Sequence, residues 1–147
     1  MIAQHYAWAQ QFGVDVFFCS WHGPRGYDDV TIRDRLLPSP ARGPTKIALL
    51  YESLQRLGIG SDARIHLTRA SVATMVSDFD YMARTYFANP GYYRIGGRPV
   101  VIVYASRIFR GDVAGLIRAV RKHLIDTYRI DPYLMSKPPA SPASRYD

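Results

Sequence analysis

Short apolar runs alternate along this chain with longer segments of helical periodicity. Four runs of strand length are bounded by glycine, proline or polar residues, and they begin near Asp15, Lys46, Pro99 and Asp131. Between them, apolar residues recur three and four positions apart, which is typical of helices packed along one face. This alternation predicts βα units on a parallel sheet with flanking helices, so the fold class is α/β.

Helix boundaries are indicated by capping and breaking residues. The predicted helices are Ile2 to Phe12 before Gly13, Val30 to Leu37 with Asp28 or Asp29 as cap, Val72 to Tyr86 before Asn89-Pro90, and a long helix after Asp112 in which Val113, Leu116, Ile117, Val120 and Leu124 share a face. Two further segments are irregular in the prediction. Residues 53–68 form an elaborated loop, and Gly96-Gly97 forms a tight hairpin turn before the third strand.

The first apolar run, Val14 to Ser20, has the composition of a strand buried on both faces. It contains the only cysteine, Cys19, so the chain can form no internal disulfide bond. Cys19 and His22 share a spacing seen in metal sites, but a single cysteine inside an apolar strand is expected to be an ordinary buried thiol. We therefore predict no metal and no cofactor.

The formal charge of +7 raises the question of a nucleic-acid partner. The arginines are spread along the chain, and they form neither a like-charge run nor a basic helical stripe, so we expect no nucleic acid among the partners. No stretch approaches the ~18 continuous apolar residues of a membrane span, and the N-terminus has no secretory signal pattern. We therefore expect a soluble protein with no membrane partner and assign it to no compartment.

Polar and aromatic residues follow the predicted strands. They are Trp21 and His22, then Tyr51 and Glu52, then Tyr104 and Ser106, then Ser136 and Lys137. In an open doubly wound sheet and in part of a closed (β/α)₈ barrel alike, ligands bind at the carboxyl ends of the strands. Aromatic rings with a few hydrogen-bonding groups are typical of sugar sites, because apolar sugar faces stack on rings while hydroxyl groups need donors and acceptors.

Several of these motifs resemble glycoside hydrolase family 99, which comprises endo-α-mannosidases and endo-α-mannanases, with related bacterial polysaccharide-biosynthesis proteins of the WbsX type. The matching segments are Gly13 to Phe17, Ser20-Trp21-His22-Gly23-Pro24, Ile47 to Glu52, and Gly97 to Tyr104. The resemblance runs from Gly13 to about Tyr133 and covers the first half of the family barrel. It implies a (β/α)₈ TIM barrel, about four strands of which lie in this chain, and retaining hydrolysis of α-mannosidic bonds without a metal.

The resemblance also implies roles for individual residues. Trp21 matches an aromatic residue that lines a sugar subsite, and Glu52 matches a carboxylate that contacts the sugar at the cleavage point. His22 departs from the family, which has another aromatic residue there. The paired catalytic glutamates of the family lie on a later strand, beyond Asp147. Glycoside hydrolysis ordinarily needs two carboxyl groups, and Glu52 is the only glutamate. Asp28 and Asp29 in the first loop are the alternative second carboxylates, but both have a simpler role as helix caps, so we predict no catalytic residue in this chain.

The predicted substrate-binding residues are Trp21, His22, Tyr51, Glu52 and Tyr104. Each has a plainer alternative: Glu52 as the partner of an arginine, Trp21 as core, His22 as an incidental loop residue, and the two tyrosines packed with only their hydroxyl groups exposed. The predicted domains are a partial (β/α) barrel over 1–137 and a Pro/Ala/Ser-rich tail over 138–147.

Three functional hypotheses follow. The first is a carbohydrate-processing domain that resembles endo-α-mannosidases, acts on an oligo- or polysaccharide, and is inactive alone. The second is a non-catalytic carbohydrate- or protein-binding half-barrel module. Two open sheet edges would favour self-association, and a homodimer is one way to close them. The third, an arginine-driven nucleic-acid binder, is the weakest.

Overall fold

The computed structural model describes residues 1–136. The helices in this part of the chain are α1 (Ile2–Gln11), α2 (Tyr27–Thr31), α3 (Ser53–Leu57), α4 (Arg69–Met82) and α5 (Val113–Tyr128). The strands are β1 (Val16–Trp21), β2 (Lys46–Tyr51), β3 (Ile65–His66), β4 (Arg94–Ile95), β5 (Arg98–Val103), β6 (Phe109–Arg110) and β7 (Tyr133–Ser136). Wider π-helical turns extend α2 over Ile32–Leu36 and α4 over Ala83–Phe87. The predicted 138–147 tail and Lys137 lie outside the described residues.

The four predicted strands form one parallel sheet in the order β1, β2, β5, β7. This confirms the predicted mixed α/β class with a parallel sheet and flanking helices. At the carboxyl ends, Trp21 lies opposite Tyr51, Tyr51 opposite Val103, and Val103 opposite Ser136. The carboxyl ends of all four strands therefore lie side by side at the same end of the sheet.

The connecting segments agree with the prediction in part. Gly96 and Gly97 have φ of +56° and +77° and join β4 to β5 in the predicted tight hairpin. Residues 53–68, predicted as a loop, contain α3 and also β3, which pairs with β6 in a separate two-stranded sheet. A two-residue strand is too short to show any periodicity in the sequence, so this pairing was not predictable.

Asp112 caps helix α5 as predicted, and its Oδ1 accepts a hydrogen bond from the Gly115 amide at 2.7 Å. The capping role predicted for Asp28 or Asp29 is wrong. Helix α2 begins one residue before them, with Gly26 at the N-cap and no side-chain cap. Both carboxylates instead accept hydrogen bonds from the loop that precedes the helix.

Strand β1 differs from its prediction, because it is not buried on both faces. It lies at an edge of the sheet, where Ser20 is exposed and Phe18 is 44% exposed. Cys19 lies on the covered face as a free thiol, and burial raises its pKa to about 11. The thiol is therefore protonated near neutral pH, as expected of a packing residue.

The two faces of the sheet have different surroundings. The hydrophobic core takes its strand residues from one face, namely Phe17, Cys19, Trp21, Ile47, Leu49, Tyr51, Val101, Val103 and Leu134. The helices pack here: Phe17 stacks on Tyr6 of α1, and Tyr51 contacts Phe79 of α4. Strand alternation places Phe18, Ser20, Leu50, Ile102 and Met135 on the opposite face, and none of these five belongs to that core.

We call these five residues the open face. Nearer the amino ends, the same side of the sheet is covered, since Ala48 and Val100 are buried and Tyr93 meets the Phe18 ring edge-on at 6.4 Å. The open face therefore lies toward the carboxyl ends of the strands. Within residues 1–136, no helix is both long and apolar enough to cross a membrane.

Candidate functional site

Glu52 immediately follows β2, and its carboxylate reaches the open face. The Ser20 hydroxyl group on β1 donates to Glu52 Oε1 at 2.7 Å. The Glu52 amide donates to the Trp21 carbonyl group at 3.1 Å, which fixes the backbone at this point. Among residues 1–136, no arginine forms an ion pair with Glu52 and only Ser20 donates to its carboxylate. The carboxylate thus keeps acceptor positions for a ligand.

His22 follows β1 as Glu52 follows β2, each one residue beyond the paired residues Trp21 and Tyr51. The His22 ring is exposed, and its Nδ1 lies 3.1 Å from Asp28 Oδ2. The same carboxylate oxygen accepts the His22 amide at 2.6 Å. Asp28 therefore orients both the backbone and the ring of His22.

Trp21 lies on the helix-covered face and is fully buried. Its ring stacks on Tyr81 of α4, with 6.0 Å between centroids, and its indole Nε1 donates to Asp29 Oδ1 at 2.8 Å. Within this structure the ring has no exposed face on which a sugar can stack.

The acceptor of the indole, Asp29, is a fully buried carboxylate with several donors. Besides the indole, it accepts hydrogen bonds from the Tyr86 hydroxyl group, the Tyr81 hydroxyl group at 2.7 Å and the Arg25 amide at 2.8 Å. Burial by itself raises the pKa of this carboxyl group. The four hydrogen bonds outweigh burial, so its pKa lies below the usual range and the buried group stays charged.

Tyr51 is also fully buried on the helix-covered face. Its hydroxyl group donates to Asp78 Oδ2 at 2.9 Å, and Arg56 binds both oxygens of Asp78 at 2.8 and 2.6 Å. Burial, reinforced by the Asp78 charge, raises the pKa of Tyr51, so the hydroxyl group stays protonated. The guanidinium group of Arg56 also lies 6.0 Å from the centre of the Trp21 ring.

Tyr104 is half-buried at the end of β5. Its amide donates to the Tyr51 carbonyl group at 3.0 Å, and its own carbonyl group accepts the Ser53 hydroxyl group. The next residue, Ala105, has φ of +54° and turns the chain into a 3₁₀ turn over Ser106–Ile108. The backbone of Tyr104 is thus fixed beside the strand that carries Glu52.

The predicted residues therefore separate into two groups. Glu52, His22 and Tyr104 lie at the carboxyl ends of three neighbouring strands, whereas Trp21 and Tyr51 are enclosed between the sheet and the helices. Ser20, which orients Glu52, was missed, although strand alternation places it two residues before His22. Within residues 1–136, no group of three or more His, Cys, Asp or Glu side chains could hold a metal ion.

Comparison with known proteins yields similarity at the level of structure only. No family model matches the chain, and no curated protein matches it significantly. A solved structure of the GH99 endo-α-mannosidase from Bacteroides thetaiotaomicron is similar over 93% of this chain and 37% of that chain, with a TM-score of 0.65 and 20% identity. A structure of this endo-α-mannosidase in complex with bis-tris-propane is similar over 92% of this chain and 38% of that chain, with a TM-score of 0.64 and 19% identity.

At this level of identity the likeness shows the fold, and it confirms the fold resemblance noted from the sequence. The endo-α-mannosidase in these two structures has a TIM-barrel fold. The present chain spans less than two fifths of the length of the structures it matches.

Proposed function

We propose that the carboxyl end of this sheet binds an oligo- or polysaccharide of the α-mannoside type. Glu52 accepts hydrogen bonds from sugar hydroxyl groups, His22 and Tyr104 contribute at the neighbouring strand ends, and the apolar open face lies beneath the ring. Trp21 and Tyr51 support this site from the covered face. The observation that carries the proposal is the Glu52 carboxylate, held by Ser20 at 2.7 Å without an arginine partner among the described residues.

The fold likeness supports the same assignment. The solved neighbours are endo-α-mannosidases, and the structural likeness covers 93% of this chain. We further propose that the four parallel strands correspond to the first part of a (β/α)₈ barrel. A glycosidase ordinarily uses two carboxyl groups, from aspartate or glutamate. Glu52 is the only glutamate, and the nearby Asp28 carboxylate is engaged by the amide and ring of His22, so we infer that the isolated polypeptide binds the sugar without cleaving it.

The proposal is tested by calorimetric titration with oligosaccharides from α-mannan. Glu52→Gln removes a charged acceptor and is expected to weaken binding about 10-fold or more. Ser20→Ala keeps the carboxylate but releases its orientation, so the expected loss is about 3-fold to 10-fold. The matched control is Asp62→Asn, which removes an exposed carboxylate paired with His66 and leaves affinity unchanged.

Two results overturn the proposal. One is a folded wild-type protein that does not bind the oligosaccharides, and the other is a Glu52→Gln variant that binds them as tightly as the wild type.

A further inference from the structure

The loop that joins β1 to α2 leads into an exposed aromatic side chain. Tyr27, the first residue of α2, is 88% exposed, and no other Phe, Tyr or Trp side chain among residues 1–136 is as exposed. Within the same residues its side chain makes no hydrogen bond and no ring contact. Packing inside the fold therefore does not account for this ring.

The backbone on both sides of Tyr27 is held in place. The amide and the ring Nδ1 of His22 lie 2.6 and 3.1 Å from Asp28 Oδ2, and the Arg25 amide donates to the buried carboxylate of Asp29 at 2.8 Å. Arg25 has φ of +65°, a left-handed conformation that a residue other than glycine keeps where surrounding contacts impose it. The loop is therefore a fixed support for the exposed ring.

The same loop packs against the helix that follows Glu52. Gly23 is buried with φ of +131°, and a β-carbon at this position would lie 2.9 Å from Arg56 Nη1. Arg56 belongs to α3, which begins directly after Glu52. His22 and Glu52 also follow the paired last residues of two neighbouring strands, which lie about 4.8 Å apart. The loop and Glu52 therefore border the same surface at the carboxyl end of the sheet.

Three side chains follow one another along this surface. Glu52 lies at the end of β2, His22 lies beside it at the end of β1, and Tyr27 precedes Asp28, the residue that holds His22. Because Nδ1 of His22 faces Asp28, Nε2 of the exposed ring remains available to a ligand hydroxyl group. The row thus offers a carboxylate, an imidazole nitrogen and an aromatic ring in that order.

We propose that His22 and Tyr27 form an outer saccharide subsite, next to the sugar unit that Glu52 binds. This proposal rests on the proposed function. Tyr27 stacks on the apolar face of the outer sugar ring, and His22 Nε2 forms a hydrogen bond with one of its hydroxyl groups. Trp21 and Tyr51 cannot supply such a platform, because both are enclosed between the sheet and the helices. The ligand is therefore a chain that continues from Glu52 over the loop that follows β1.

The test compares methyl α-mannoside, a single unit, with an α-linked mannose tetrasaccharide, which reaches both subsites. Since Glu52 is the only glutamate, carbon-13 labelling of glutamate reports binding at Glu52 for both ligands. Tyr27→Ala is expected to weaken the tetrasaccharide about 5-fold and to leave the affinity for methyl α-mannoside unchanged. His22→Ala is expected to weaken the tetrasaccharide about 3-fold to 10-fold.

Two control variants accompany the test. Tyr27→Phe keeps the ring and is expected to bind both ligands as the wild type does. Phe12→Ala removes an aromatic side chain that is 72% exposed but precedes the amino end of β1, and it leaves both affinities unchanged. Circular dichroism of each variant separates a loss of binding from a loss of folding.

A folded Tyr27→Ala variant that binds the tetrasaccharide as tightly as the wild type overturns the outer subsite and leaves the Glu52 site intact. Equal losses in Tyr27→Phe and Tyr27→Ala would assign the contact to the hydroxyl group and overturn the stacking. If neither ligand shifts the Glu52 resonance of the folded wild type, the proposed function is wrong and the outer subsite with it.

Discussion

At the scale of single residues, one step along a strand decides whether a side chain packs in the core or lies on the open face. Ser20 and Trp21 are neighbours on β1, yet Ser20 lies on the open face and Trp21 is buried on the covered face. The sequence pattern identified the strand ends correctly. From the sequence we expected the aromatic and polar residues at these ends to share one surface. Successive side chains of a strand point to opposite faces, so they do not. Applied strictly, alternation groups Glu52 with Ser20 and leaves Trp21 with the core.

The buried carboxylates were not predictable from local sequence. Asp29 accepts hydrogen bonds from Tyr81 and Tyr86, more than 50 residues away, and Asp78 binds Tyr51 and Arg56, more than 20 residues away. Nothing near either aspartate in the chain marks it as buried.

The Asp29 cluster predicts a pH-dependent stability. Its folded-state pKa is depressed, so its contribution to the free energy of unfolding is present above about pH 4, the unfolded pKa, and is lost as the pH falls through the folded pKa. Tyr81→Phe removes one donor to this carboxylate and keeps the ring on Trp21. We expect it to lower the free energy of unfolding by about 1–2 kcal/mol at pH 7.

Urea titrations at pH 7 and at successive lower values check this expectation. The difference between wild type and Tyr81→Phe is expected to narrow below about pH 4, because both proteins lose the charged carboxylate. Tyr27→Phe, at a residue 88% exposed, serves as the control and leaves stability unchanged at every pH. A difference that stays constant from pH 7 into the acid range would rule out Asp29 as the acceptor responsible.

At the scale of elements, the sequence predicted most of the strands and helices whose ends are marked by capping, turn-forming or charged residues. The strands β1, β2, β5 and β7 lie within about two residues of the predicted runs, since glycine, proline or charged residues bound each run. Helix α5 lies where its cap and apolar face placed it, with Leu116, Val120 and Leu124 buried. The short elements β3 and β6 depend on each other across more than 40 residues and have no pattern of their own.

The cap of α5 gives a prediction at this scale. Asp112→Ala removes the acceptor of the Gly115 amide and is expected to cost about 1 kcal/mol in the free energy of unfolding. Asp112→Asn keeps an acceptor and should cost only a few tenths of that value. Chemical denaturation of the wild type, Asp112→Ala and Asp112→Asn measures both losses in the free energy of unfolding. Equal destabilisation by the two substitutions would mean that the charge at the helix end, and not the hydrogen bond, supplies the stability.

At the scale of the whole molecule, the positive charge has a structural use. Arginine–aspartate pairs join different elements of the fold: Arg56 with Asp78, and Arg121 and Arg98 with Asp131. The last group ties α5 and β5 to the segment that leads into β7. These arginines therefore account for part of the basic composition through internal contacts. The two faces of the sheet, in contrast, differ in their surroundings. One face is packed by helices, and the other carries Ser20 and Glu52 toward its carboxyl end.

Because Glu52 is the only glutamate, carbon-13 labelling of glutamate gives a single side-chain carboxyl resonance, and its response to ligand is the most direct test of the site. During titration with α-mannan oligosaccharides this resonance is expected to shift and saturate. The shift should shrink in Ser20→Ala and be absent with β-linked cello-oligosaccharides. A resonance that does not move at millimolar α-mannan oligosaccharide, in a protein that is folded, would contradict the assignment of Glu52 as the sugar-binding carboxylate.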